Sequence, residues 1–108
     1  MTNLLAAALL SALIAQESPN GQMVGDNGLA IGRLQITQAV VTDVNRWTGQ
    51  HIKLNQMNNI ATAQYVAYVW FKHYEPRLAR GLHRNLTNHD RLILWNRGYK
   101  GARRYYGI

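Results

Sequence analysis

Apolar positions divide the chain into segments of different period. Residues 4–15, from Leu4 to Ala15, form an uncharged run rich in Ala and Leu. This composition predicts a buried helix, capped by Thr2 or Asn3. Twelve residues are too few to span a bilayer, which takes about 20. The alternative is the apolar part of a signal peptide, although no Lys or Arg precedes it; a start inside a longer protein is a third reading. Ser18-Pro19-Asn20-Gly21 stops this first helix. Residues 20–36 hold Gly21, Gly25, Gly28 and Gly32 between short apolar pairs, which predicts tight turns with at most a small hairpin. Thr37 is placed to N-cap a helix through about Trp47, ended by Gly49. A connection over 50–57 leads to Asn58 or Asn59, where a long helix begins and reaches about Tyr74. Its apolar positions Ile60, Ala63, Val66, Ala67 and Trp70 follow the three-to-four spacing. Pro76 interrupts that helix or starts a short one through Arg80. Thr87 opens another, with Leu92, Ile93 and Trp95 apolar, stopped by Gly98, and residues 99–106 have room for a last turn or two. The pattern predicts one domain over 1–108, mainly α with a small α+β excursion near 20–36.

Composition narrows the chemistry. The chain has 108 residues and no Cys, which excludes disulfides, thiolate metal sites and a thiol nucleophile. It is too short for a large enzyme barrel or a doubly wound dinucleotide fold. The net charge of +7 lies wholly in the last third. Residues 1–70 balance Arg33, Arg46 and Lys53 against Glu17, Asp26 and Asp43, whereas 71–108 carry nine Lys and Arg against Glu75 and Asp90. Such asymmetry favours an anionic partner, or serves solubility alone. The histidines at 51, 73, 83 and 89 form no HisGluXaaXaaHis motif and join no carboxylate cluster, so no metal or organic cofactor is expected.

Glu17 stands out because it is the first acidic residue and ends an almost wholly apolar helix. Apolar surroundings and the negative end of the helix dipole both favour its protonated form. A carboxylic acid held protonated near neutral pH is what general acid catalysis requires. The alternative is an exposed Glu in a last helical turn.

The surrounding residues add a pattern. Glu17-Ser18 precedes Gly25-Asp26-Asn27-Gly28 and Gly32-Arg33-Leu34-Gln35-Ile36. Asn59-Ile60 opens the long helix, and Leu94-Trp95-Asn96-Arg97-Gly98 follows. In order and spacing these resemble the lysozyme-like superfamily, in particular soluble lytic transglycosylases and goose-type lysozymes in their short phage-type version. The resemblance covers about residues 10–100. It implies a lysozyme-like fold, with several helices around a central apolar helix. It further implies cleavage of the β-1,4 bond between N-acetylmuramic acid and N-acetylglucosamine in peptidoglycan, with Glu17 as the catalytic acid. Gln35 and Asn96 match positions lining the glycan groove, and Trp95 and Tyr99 are candidates to stack on sugar faces or to pack in the core.

Asp26 falls where goose-type lysozymes carry Asp and transglycosylases usually carry Ser. It is a candidate second carboxylate, activating water from about 6.5–9.5 Å as inverting glycosidases do, or a turn residue bonding its own backbone. The chain departs from the family at Arg33, Thr37, Trp95, Arg97 and Tyr99. The implied partners are glycan strands and anionic wall polymers, at a bacterial wall reached by export or by a phage, with the chain acting as a monomer that does not span a membrane. The rival reading is a non-enzymatic basic protein that binds wall glycan or nucleic acid through Arg77, Arg80, Arg84 and the 97–104 cluster.

Overall fold

The computed structural model describes residues 5–21, 23–25, 28 and 30–108. Thr2, Asn3 and Asp26 therefore lie outside the described residues. Among the described residues there are four α-helices and a three-stranded antiparallel sheet: α1 (Ala7–Glu17), β1 (Val24–Gly25), β2 (Ala30–Ile31), β3 (Ile36–Thr37), α2 (Gln38–Thr48), α3 (Ile60–Leu82) and α4 (Asn88–Tyr106). A 3-10 turn over Leu54–Asn58 precedes α3. The chain divides into two compact units, residues 1–70 and 71–108. The mainly α class with a small β excursion is what the hydrophobic pattern predicts.

In the first unit, α1 turns only one stripe inward. Leu9 and Leu13 are buried, whereas Ala7, Ala8, Ser11, Ala15 and Gln16 are exposed. Composition predicts a buried helix, of which two residues, Leu9 and Leu13, are buried. Alanine explains the difference, because it favours helix without needing burial. The strands are two residues each, and β2 lies between β1 and β3 with Gly25 opposite Ala30 and Ile31 opposite Ile36. Ala30, Leu34 and Ile36 are buried, and Val41 and Val44 of α2 and Met57 of the 3-10 turn are fully so. Thr37 is the N-cap residue of α2 by conformation, but its side chain makes no capping hydrogen bond. Gly49 closes α2 in the left-handed region, as its position predicts. Asn45 then holds the connection down. Its amide donates to the Ile52 carbonyl at 2.8 Å and accepts from the Ile52 N–H at 2.9 Å. Asn59 caps α3 by accepting from the Thr62 N–H at 3.1 Å. Ala63, Val66, Ala67 and Trp70 are buried at the predicted spacing, while Ile60, in the first turn, is exposed.

In the second unit the long helix outlasts its predicted end. Pro76 lies inside α3, which runs to Leu82. Proline has no N–H for the helical i→i−4 bond and costs about 3 kcal/mol in a helix interior. Two turns apart on either side of it, Phe71 and Leu78 are buried. Burying two such side chains stabilises by about 1.5–3 kcal/mol each, enough to offset the proline. The helix ends in a doubly bonded turn, with Arg84 N–H donating to the Ala79 carbonyl and His83 N–H to the Arg80 carbonyl. His83 occupies the left-handed position, φ 57°, that glycine usually fills. The α4 run contains one non-helical residue, Gly98, at φ 73° and ψ 172°. It is thus two helical segments meeting where the sequence places a stop, with Leu94 and Ala102 buried on either side.

Two substitutions test this account. Pro76→Ala is expected to stabilise the chain by about 1–3 kcal/mol in urea melts. Gly32→Ala is expected to cost about 2 kcal/mol or more, because Gly32 has φ 82° and an added Cβ would lie 2.0 Å from the Met57 carbonyl oxygen.

Candidate functional site

Glu17 is the last residue of α1 and is half-buried. Its Oε2 accepts a hydrogen bond from the Gln16 side-chain amide at 2.8 Å. The next residue, Ser18, is 4% exposed, and its hydroxyl donates to the Arg33 carbonyl at 3.0 Å. Arg33 is itself exposed, so the backbone of this residue, not its guanidinium, is what α1 engages. The Ser18 bond fixes the end of the helix that carries Glu17 against the Gly32–Ile36 loop.

That loop is built around Gln35. Its backbone has φ 52°, unusual for a non-glycine residue. Its N–H donates to the Gly32 carbonyl at 3.0 Å and its side-chain amide to the same carbonyl at 2.9 Å. The other side of the amide lies against Gly25, where an added Cβ would come within 2.0 Å of Oε1. With Gly25 as it is, the Gln35 amide occupies the space a side chain there would enter. Gln35 is only half-buried, so it both braces the loop and faces its surface. The structure therefore links Glu17 and Gln35 in the first unit through Ser18 and Arg33. Asp26 follows Gly25 and lies outside the described residues.

Trp95, Asn96 and Tyr99 belong to the second unit. Trp95 is half-buried and stacks on Phe71, with ring centroids 5.4 Å apart and an interplanar angle of 28°. Tyr99 stacks on Tyr74 at 5.0 Å and 21°, and its hydroxyl accepts from Arg103 Nη1 at 3.3 Å. Each of these two rings thus has one face taken by α3. Asn96 is exposed.

The strongest electrostatic feature is one that sequence reading missed. Asp90 is 2% exposed. Its carboxylate accepts from Arg84 Nη2 at 3.0 Å, from Arg84 Nη1, from the Thr87 N–H at 2.8 Å and from the Tyr106 hydroxyl. In return Thr87 Oγ1 accepts from the Asp90 N–H at 3.2 Å, completing a capping box at the start of α4. The Arg84 guanidinium, then the Tyr106 and Thr87 hydrogen bonds, hold the Asp90 carboxyl far below the usual carboxylate range against the opposing effect of burial. Burial first, then the Asp90 carboxylate, pushes the Tyr106 phenol up to about 12. The Asp90 hydrogen bond also raises Arg84. The signal was the Thr87-Xaa-Xaa-Asp90 spacing, which Thr87 alone did not expose.

Among the described residues no group of three or more His, Asp or Glu is placed to hold a metal ion. Among them, too, no helix is long and apolar enough to cross a membrane. No family model matches the chain, and comparison with curated proteins and with solved structures finds no match.

The Asp90 network sets a pH dependence. Its folded-state pKa is depressed, so its contribution is present above the unfolded value, about 3.9, and is lost as pH falls below that. Asp90→Asn is expected to cost on the order of 2–3 kcal/mol at pH 7 and to flatten the fall in thermal stability on acidification below pH 4. Tyr106 is raised, so its contribution is present below about pH 10 and is lost between there and about 12. Melts of Tyr106→Phe are expected to lack that part of the alkaline loss.

Proposed function

We propose that the chain is a peptidoglycan-cleaving enzyme of lysozyme-like type, with Glu17 as general acid. The observation that carries this reading is the Ser18 clip. It holds a half-buried carboxylate at the end of α1 against a glycine-rich loop whose one braced polar side chain is Gln35. Catalytic acids act from fixed positions beside a substrate surface, and a carboxylate on a helix end tied to a loop meets that need.

In this mechanism the Glu17 carboxyl gives its proton to the glycosidic oxygen as the bond from C1 of N-acetylmuramic acid breaks. In a lytic transglycosylase the resulting Glu17 carboxylate then takes the proton of the sugar's own 6-hydroxyl, which closes a 1,6-anhydro ring. In a muramidase the nucleophile is water, and Asp26 takes its proton. Gln35 is the proposed glycan contact of the first unit, and Asn96, Trp95 and Tyr99 are those of the second. Site of action is the bacterial wall, and no cofactor is needed. The bound substrate is the glycan strand, met by a monomer.

The test is digestion of purified peptidoglycan with mass analysis of the fragments. The chain is expected to release muropeptides, and Glu17→Gln to slow release by about 10²-fold or more. Reducing ends identify a muramidase and make Asp26→Asn inactive too. Fragments lighter by one water identify a transglycosylase, in which Asp26→Asn keeps activity. Equal release by the chain and by Glu17→Gln, or none by either across pH and wall types, sinks the proposal.

A further inference from the structure

The second unit has only two carboxylate side chains, and both are consumed inside it. Glu75 pairs with Arg91 Nε at 3.1 Å. Asp90 is held by Arg84, Thr87 and Tyr106. Residues 71–108 thus carry seven more cationic side chains than acidic ones, nine Lys and Arg against Glu75 and Asp90.

Where α3 ends, an open depression of about 650 Å³ is lined by Ala79, Arg80, His83, Arg84 and Asn85. Its two guanidiniums are prepared differently. Arg84 is fixed by two nitrogens on the Asp90 carboxylate, and its Nη1 also donates to the Asn85 carbonyl at 3.1 Å. Arg80 is exposed, and its side chain makes no hydrogen bond or ion pair among the described residues. The same is true of the exposed His83 side chain, held outward on its left-handed backbone. Arg103 lies close by, its Nη1 3.7 Å from where a Cβ on Gly81 would stand. The carbonyl end of α3 opposes an anion here with about half a charge. Arg80 outweighs it, and Arg84 adds to it even after Asp90 has neutralised most of its charge.

We infer that this depression binds the phosphodiester groups of an anionic wall polymer, with Arg80 as the main contact and His83 and Arg84 beside it. Guanidiniums match phosphate oxygens in a planar fork. Nucleic acid offers the same phosphates, but binding single strands needs open aromatic faces on which bases stack. Among the described residues no Phe, Trp or Tyr lines this depression, and Trp95 and Tyr99 each give one face to α3 while Tyr105 lies beneath the Arg97 guanidinium at 4.7 Å. A polyol-phosphate chain has no bases to stack. The choice of a wall polymer as the source rests on the proposed function; the phosphate site does not.

The test measures binding of the full chain to purified poly(glycerol phosphate), with inorganic phosphate, polyglutamate and single-stranded DNA of matched charge as further arms. Arg80→Gln is expected to weaken poly(glycerol phosphate) binding at least 5-fold and to flatten its salt dependence by about one phosphate contact. Arg80→Lys is expected to restore part of the affinity. His83→Asn, which tolerates the left-handed backbone, is expected to weaken it about 2-fold, and Lys53→Gln in the first unit to leave it unchanged. Inorganic phosphate is expected to compete, and polyglutamate to bind more weakly. Unchanged binding by Arg80→Gln overturns the site. Tighter, Arg80-dependent binding of the DNA overturns the wall polymer in favour of nucleic acid. Glu17→Gln is expected to bind poly(glycerol phosphate) as the unaltered chain does. Loss of digestion with retained binding therefore separates the two readings, and a chain that binds but never digests leaves the phosphate site standing alone.

Discussion

The first unit depends on a close approach of backbones that only glycine permits. At Gly32 the loop comes so near the Met57 carbonyl that a methyl group would sit 2.0 Å from it. The same residue accepts both hydrogen bonds by which Gln35 braces itself, and its own N–H donates to the Met23 carbonyl. From that point the consequences run outward. Leu34 and Ile36, on either side of Gln35, are fully buried, so the loop is pinned by its apolar residues while its polar one turns to the surface. Ser18 then attaches α1 to the carbonyl of Arg33, the residue directly after Gly32. The position of Glu17 is therefore a consequence of how tightly a loop fifteen or more residues downstream can fold.

The second unit is organised by a charge instead of a contact. A carboxylate as buried as Asp90 is tolerated only when its oxygens are answered, because an unpaired buried charge costs several kcal/mol. Arg84 from beyond α3, Thr87 from the turn and Tyr106 from the end of α4 supply those answers. One side chain thereby ties together both ends of α4 and the exit from α3. It also engages internally one of the two acids of a unit that holds nine Lys and Arg.

Legibility in the sequence followed the range of the interactions. Elements decided by local chemistry were readable: Gly49 at the end of α2, Asn59 at the start of α3, Gly98 as a stop, and Ser18 after α1. Elements decided by packing across the chain were not. Pro76 reads as a breaker because its local cost is plain, whereas the burial of Phe71 and Leu78 that offsets it is visible only in three dimensions. Alanine misled in the opposite direction, since a run of it suggests burial when it requires none. The candidate site divides the same way. Glu17 and Gln35 were singled out by position and motif, but the bond joining their segments runs through a serine hydroxyl and a backbone carbonyl, and a carbonyl has no letter in the sequence. Asp90 was overlooked because its partners lie 3, 6 and 16 residues away on different elements.

The excess charge is confined to one unit. Residues 1–70 are neutral and carry Glu17 on a clipped helix end, and residues 71–108 carry the whole excess of positive charge. An anionic polymer is held best where no carboxylate competes. The internal pairing of Glu75 and Asp90 meets that demand within the second unit. A basic surface does not have to be rich in cations beyond the ordinary; it is enough that the acids beside it already have partners.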